Sequence, residues 1–269
     1  MFKLHTVKTC FIRAFEEGFY IARFFMNAFI IACSFITVIP IKKFPDWNKN
    51  NLRFFCVTLP FVGCVIGLLW AFLFWILFSL TKISVNLKGV IMSLLTLAIT
   101  GGLHMDGFID SCDAIFSHRD LKKRLEILSD SHVGAFGVIC CSGILILKCA
   151  LFSELFTKIF DLRIFFVPVL SRIGLAILLN NLDFAKNDGL ARSLGNSRNK
   201  KDNIFFIVMI ILISIMNPVI STGFFLVLFS WSFFCVKIFN GITGDLLGAF
   251  VEISEVIILF SMVIEFCIS

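Results

Sequence analysis

The chain has 269 residues, 59% of them hydrophobic and only 16% charged, with a formal net charge of +6 and a mean hydropathy of +0.98. Soluble domains run about 45–50% apolar and about 25% charged, so a disordered chain, a secreted disulfide scaffold and an ordinary water-soluble enzyme are excluded. The composition is that of an integral membrane protein. Thirty-five Phe against one Tyr and four Trp make the aromatic surface almost wholly apolar and the interfacial belt thin. The ten Cys are scattered, with no C-x-x-C pair, and read as small buried hydrophobes rather than metal or disulfide sites. No basic patch is interleaved with aromatics, so nucleic acid is not an expected partner.

A hydrocarbon core of about 30 Å needs about 20 apolar residues per helix. In chain order, Phe24–Ile41 is a short candidate span, Phe54–Leu80 a long uncharged one, and Lys88–Leu103 another short one. Val133–Leu151 is broken only by Lys148, and Ile164–Leu182 only by Arg172. Asn203–Val236 is uncharged for 34 residues and carries Asn217-Pro218, which predicts two short helices folded as a hairpin. Ala249–Phe266 is apolar but contains Glu252, Glu255 and Glu265. The expectation is an all-α polytopic bundle of about seven or eight membrane helices, some short or broken. Without a repeat or a linker, residues 24–269 read as one integral membrane domain. Residues 1–23 mimic a signal peptide but lack a cleavage site, and read as a retained interfacial segment.

Lys and Arg in short loops set the sidedness. Segments 104–132 and 183–203 hold four and five of them, and 237–250 lies on the same face by the number of crossings. That face is predicted to be cytoplasmic.

The most informative stretch is Gly101-Gly102-Leu103-His104-Met105-Asp106-Gly107-Phe108-Ile109-Asp110-Ser111-Cys112-Asp113. Asp106, Asp110 and Asp113 fall within about 60° of one another around a helix. Stacked like charges are destabilising unless a cation sits between them, and hard oxygen donors point to Mg²⁺. Asp130 could return from the next element to complete the cluster. The competing reading is a solvated acidic loop with the aspartates as helix caps. Acids beside a membrane segment, however, are functional by default. His104 lies about 160° from Asp106, which suits a core or supporting role before a catalytic one.

A second constellation is Thr243-Gly244-Asp245-Leu246-Leu247-Gly248-Ala249-Phe250-Val251-Glu252-Ile253-Ser254-Glu255. Asp245 and Glu252 share a helical face, and Gly241, Gly244 and Gly248 form a stripe suited to close helix packing. Arg172, within a span, must pair with something: with the aspartate cluster as its counter-charge, or with a substrate phosphate. Ala185-Lys186-Asn187-Asp188-Gly189-Leu190 lies on the same predicted face.

Together these motifs resemble the cobalamin synthase (adenosylcobinamide-GDP ribazoletransferase) family over roughly residues 28–268. The family's G-G-x-H-x-D-G-x-x-D-x-x-D core stands at 101–113, and its L-E-I-M-x-D-S-x-x-G block resembles 125–134. Its S-R-G element is similar to Ser171-Arg172-Ile173-Gly174, and its T-G-D-x-L-G-A-x-x-E resembles 243–252. The sequence departs from the pattern at Val38, Ser129, His132 and Lys186. The resemblance implies joining of adenosylcobinamide-GDP and α-ribazole, or its 5′-phosphate, with release of GMP. It implies Mg²⁺ held by Asp106, Asp110, Asp113 and Asp130, and phosphates held by Arg172 and Lys186. Asp245 and Glu252 would bind a second metal or orient the ribazole, and His104 is a candidate acid or base. The enzyme would sit in a bacterial cytoplasmic (inner) membrane, among lipid, with its site facing the cytoplasm, and could form a homo-oligomer. Two alternatives are weaker. A CDP-alcohol phosphotransferase would show D-G-x-x-A-R, and Asp106-Gly107 continues differently. A divalent cation transporter typically shows repeated halves, and none is found.

Overall fold

A computed structural model describes residues 20–41, 45–158, 160–186 and 198–268. The interfacial segment expected over residues 1–23 lies outside them except for Tyr20–Arg23, which already belong to the first helix. The helices are α1 (Tyr20–Ile36), the single turn α2 (Lys49–Leu52), α3 (Phe55–Ser79), α4 (Val85–Thr100), α5 (Leu103–Phe116), α6 (Leu121–Ile127) and α7 (Ala135–Phe156). A 3₁₀ turn at Leu162–Phe165 leads into α8 (Phe166–Asn181), followed by α9 (Asp202–Met216), α10 (Pro218–Phe239) and α11 (Gly244–Ile268). The described residues hold no sheet, only an isolated parallel bridge between Phe184 and Ile242. The all-α membrane bundle is as expected.

Among the described residues, five helices are long and apolar enough to cross a membrane, or six if α4 and α5 are counted as one bent span. The expected seven or eight is reached only by adding α1 and α9, which are apolar but shorter. The break at Asn217-Pro218 is present, with Pro218 in the first turn of α10, where its missing N–H costs nothing. Its two arms are unequal. α9 has 15 residues and α10 has 22, so α10 is long enough to span alone.

Helices α4 and α5 meet at 95°. The bend sits on Gly101 and Gly102, with φ of 62° and 75°, two successive left-handed positions that only glycine adopts cheaply. The diglycine therefore turns the chain sharply and aims α5, with its aspartates, across the bundle.

Close packing follows small residues. Gly63 and Gly67 lay α3 on the backbone of Pro168 and Phe165, and Gly89 lays α4 on that of Cys149. Helix α11 and the Leu162–Asn181 segment are the most enclosed, with 67% and 72% of their apolar stretches buried against 28% for α7. The outer helices show apolar side chains outwards, among them Ile139 and Ile146 of α7, Ile207 and Ile211 of α9, and Phe229 and Phe233 of α10. That surface suits lipid.

Candidate active site

The two acidic constellations come together because α5 crosses α11 at a glycine contact. A Cβ on Gly107 would stand 2.8 Å from the Asp245 carbonyl oxygen and 2.9 Å from its Cα, and one on Gly248 would stand 3.1 Å from the His104 carbonyl oxygen. With no side chains between the backbones, Asp106 and Asp245 line the same cavity of about 200 Å³. Thr243 caps the start of α11. Its Oγ1 accepts from Leu246 N at 3.3 Å and its carbonyl from Leu247 N at 3.1 Å, which begins α11 and leaves the Asp245 carboxylate to the cavity. Apart from His104, the remaining walls are apolar: Phe35 and Ile36 of α1, Phe55 of α3, Leu175 and Leu179 of α8, and Leu103 and Leu247.

Five carboxylates gather at this end of the bundle, since Asp110 lies in the electrostatic field of Asp106, Asp245, Asp113 and Asp130. They are not equivalent. Asp113 accepts Gly134 N on one oxygen and Gly137 N on the other, both at 2.8 Å, and so caps the N-terminus of α7. Asp130 accepts His132 N at 3.1 Å and lies 2.6 Å from His132 Nδ1. Those bonds hold its carboxyl below the ordinary carboxylate range. Asp106 is exposed and Asp110 half-buried on the face they share. Among the described residues no three His, Cys, Asp or Glu side chains close to a metal-binding group. That is compatible with Mg²⁺, which usually keeps several waters and takes one or two carboxylates plus substrate phosphate oxygens. Asp106 and Asp245, which line the cavity, are carboxylates that could supply them.

Lys186 reaches this cluster. Its Nζ donates to Ser129 Oγ, and it acts electrostatically on Asp245. The chain before it is pinned to the approach to α11, with Ala185 N donating to Ile242 O at 2.9 Å and Ile242 N donating to Asp183 O at 2.8 Å. Gly241, at φ 147° and with Asp183 O closer than any Cβ would allow, permits this contact. Segments 104–132, 183–186 and 237–250 thus meet at one end of the bundle, as the loop charges imply. The rest of the Ala185–Leu190 element lies outside the described residues.

Two other candidates are placed elsewhere. Arg172 is fully buried; its Nη1 donates to Glu255 and, at 2.7 Å, to Ser171 Oγ. Glu252 accepts from Lys148 Nζ at 2.6 Å, and the same Nζ reaches Glu255 at 2.9 Å. These four side chains form one buried network of two positive and two negative charges, and none of the four is among the residues lining the cavity. Arg172 is thus paired with Glu255 outside the residues that line the cavity, and Glu252 sits two turns along α11 from Asp245. His104 lines the cavity but is buried on the side away from Asp106, as the helical angle implies. Its Nε2 has no hydrogen-bond partner among the described residues, and its electrostatic neighbours are Arg172, Glu255 and Lys148.

Lys148 is the residue that sequence reasoning passed over as a mere break in a span. The signal was available, because an ammonium inside an apolar run needs a partner for the same reason as Arg172.

The comparisons agree with the geometry. The family description "Cobalamin-5-phosphate synthase" matches residues 28–263. The chain belongs to this family. An adenosylcobinamide-GDP ribazoletransferase of Geobacillus sp. (strain WCH70) is 34% identical over 238 residues, covering 84% of this chain and 91% of the relative. Enzymes of the same name from Clostridium botulinum (strain Loch Maree / Type A3) and Geobacillus kaustophilus (strain HTA426) are each 35% identical. Both matches cover 86% of this chain, with 95% and 93% of the respective relatives. No solved structure matches. The family's matched stretch contains both acidic motifs, the cavity and the buried network.

Proposed function

We propose that the chain is a transferase that joins adenosylcobinamide-GDP to α-ribazole, or its 5′-phosphate, with release of GMP. It would act in a bacterial cytoplasmic membrane, with the acid-rich end facing the cytoplasm. The observation that carries the reading is the meeting of Asp106 and Asp245 across one cavity, which joins two motifs 139 positions apart, at 106 and 245, within the matched family region.

The transfer forms a bond from a ribose hydroxyl oxygen of the acceptor to the cobinamide-linked phosphorus, and breaks the bond from that phosphorus to the oxygen leaving with GMP. Mg²⁺ held by one or both of Asp106 and Asp245, with substrate phosphate oxygens, would neutralise charge in such a transfer. The protein's own contribution is position. Carboxylates at the cavity rim orient the hydroxyl and can accept its proton. Lys186, beside Asp245, is placed to meet phosphate oxygens, and its tether to Ser129 holds it at the rim. The apolar walls exclude water, which would otherwise compete as the nucleophile. Asp113 holds α7 and the aspartate helix in register.

The test is GMP release by the detergent-solubilised protein given both substrates and Mg²⁺, with and without a chelator. Turnover that needs both substrates and stops on chelation is expected. Absence of GMP release from correctly folded protein would refute the assignment, and turnover indifferent to chelation would refute the metal.

A further inference from the structure

The proposed reaction brings three bulky groups to one site: a corrin macrocycle, a guanosine diphosphate and the acceptor nucleoside. The cavity beside Asp106 and Asp245 discriminates among them. At about 200 Å³ it falls below the roughly 300–1,000 Å³ of drug-sized sites, so it can hold one small ring system and neither a macrocycle nor a whole nucleoside diphosphate. Its walls are aromatic and aliphatic, from Phe35, Phe55, Leu175 and Leu179, with the carboxylates of Asp106 and Asp245 as its charged side chains.

Guanine would enter with several edge donors and acceptors. The carboxylates of Asp106 and Asp245 could take its N–H donors, but its carbonyl and ring-nitrogen acceptors would meet Phe and Leu, and each acceptor left unpaired costs about 1–3 kcal/mol. A flat, bicyclic base with alkyl substituents and few polar edge atoms loses little and gains the burial of its faces.

Resting on the transferase reading above, we infer that this cavity seats the apolar base of the acceptor nucleoside, with its ribose at Asp106 and Asp245. The arrangement serves the chemistry, because seating the base among α1, α3 and α8 delivers the ribose hydroxyl to the carboxylate rim. Base selectivity then lies in helix α8, in Leu175 and Leu179 one turn apart.

The experiment measures steady-state kinetics of the membrane-reconstituted protein with each substrate varied in turn. The nucleosides compared are the ribosides of dimethylbenzimidazole, unsubstituted benzimidazole and a wider tricyclic analogue. Filling the cavity with Leu175→Phe should raise the KM for the dimethylbenzimidazole riboside at least about ten-fold, the lower end for one poorly fitting hydrocarbon group. It should do so less for the unsubstituted base, and the KM for adenosylcobinamide-GDP should change by less than about two-fold. Should that variant fail to fold, Leu175→Ala gives the converse reading, with improved use of the tricyclic riboside relative to wild type. An increase confined to the KM for adenosylcobinamide-GDP would assign the cavity to the other substrate. Unchanged selectivity in Leu175→Ala would assign it to lipid or to packing. Either result overturns the inference while leaving the transferase reading standing. Lack of GMP release by the wild-type protein would instead overturn the transferase reading itself.

Discussion

Lys148 offers the sharpest test of how this bundle tolerates charge. Its ammonium and the carboxylates of Glu252 and Glu255 are each only 4% exposed at the side chain, and Arg172 is 0% exposed opposite Glu255. By helical rise, the four groups lie about 12 to 20 Å from the helix ends that carry the acid cluster, well inside the apolar helices. Lys148→Met keeps the length and apolar stem of the side chain but removes one of the two positive charges. The network then carries a net charge of −1, and Glu252 loses the ammonium bonded to it. Breaking a buried pair from one side costs about 3–5 kcal/mol, a large fraction of the stability of most domains. Restoring neutrality with Lys148→Met and Glu252→Gln together should recover more than half of that loss, since removing both partners is far cheaper than removing one. Thermal unfolding of the purified protein in detergent, for wild type, both single variants and the double, measures the coupling directly. A Lys148→Met midpoint equal to wild type would show that the ion pairs contribute nothing. A double variant no more stable than the single would show that Lys148 acts through packing rather than charge.

Asp106→Asn should leave the unfolding midpoint unchanged and remove most GMP release, because its carboxylate lines the cavity and holds no helix. Asp113→Asn should instead lower stability by about 1–2 kcal/mol, the range for losing a helix cap, because its amide presents a donor to one of the two backbone N–H groups at α7. Equal effects of the two on stability would refute the division of labour. Arg172→Lys keeps a charge opposite Glu255 but loses the planar fork, so it should reduce stability by about 1.5–3 kcal/mol with an unchanged KM for adenosylcobinamide-GDP; normal stability with a raised KM would make it a phosphate ligand. Arg119→Cys and Lys237→Cys, both exposed at the acid-rich end, should react with an impermeant thiol reagent only after cells are broken, in a background lacking the native cysteines; labelling from the outer face of intact spheroplasts would reverse the orientation.

The sequence displays the parts of this protein that depend on local spacing. Apolar runs announce the spans, and Asp106, Asp110 and Asp113 at spacings of four and three mark a helical face. Other local signals take their sense from the packing around them. Gly101 and Gly102 lie inside an expected span, Lys88–Leu103, yet they hold positive φ at a 95° bend. Asp113 looks equivalent to its two neighbours, yet its oxygens are turned to α7. Spacing conceals that difference, because Gly134 and Gly137 lie 21 and 24 residues further on.

Pairing across the bundle is harder still to read. The spans contain Lys148 and Arg172 as cations and Glu252 and Glu255 as anions, so neutrality is visible in the sequence while the partners, 83 to 107 residues apart, are not. Each charge alone invites a functional reading, since an isolated ion in lipid demands one. The four together supply partners for one another away from the cavity, whereas Asp245 lines it. The cavity walls are hidden for a different reason. Leu175 and Leu179 are four residues apart on an apolar helix, as are Ile207 and Ile211, and hydrophobicity cannot distinguish a leucine that faces a substrate ring from an isoleucine that faces an acyl chain. That distinction is made by the neighbours, and it is made here by the glycine crossing of α5 and α11, which sets two carboxylates at the mouth of an otherwise greasy hole.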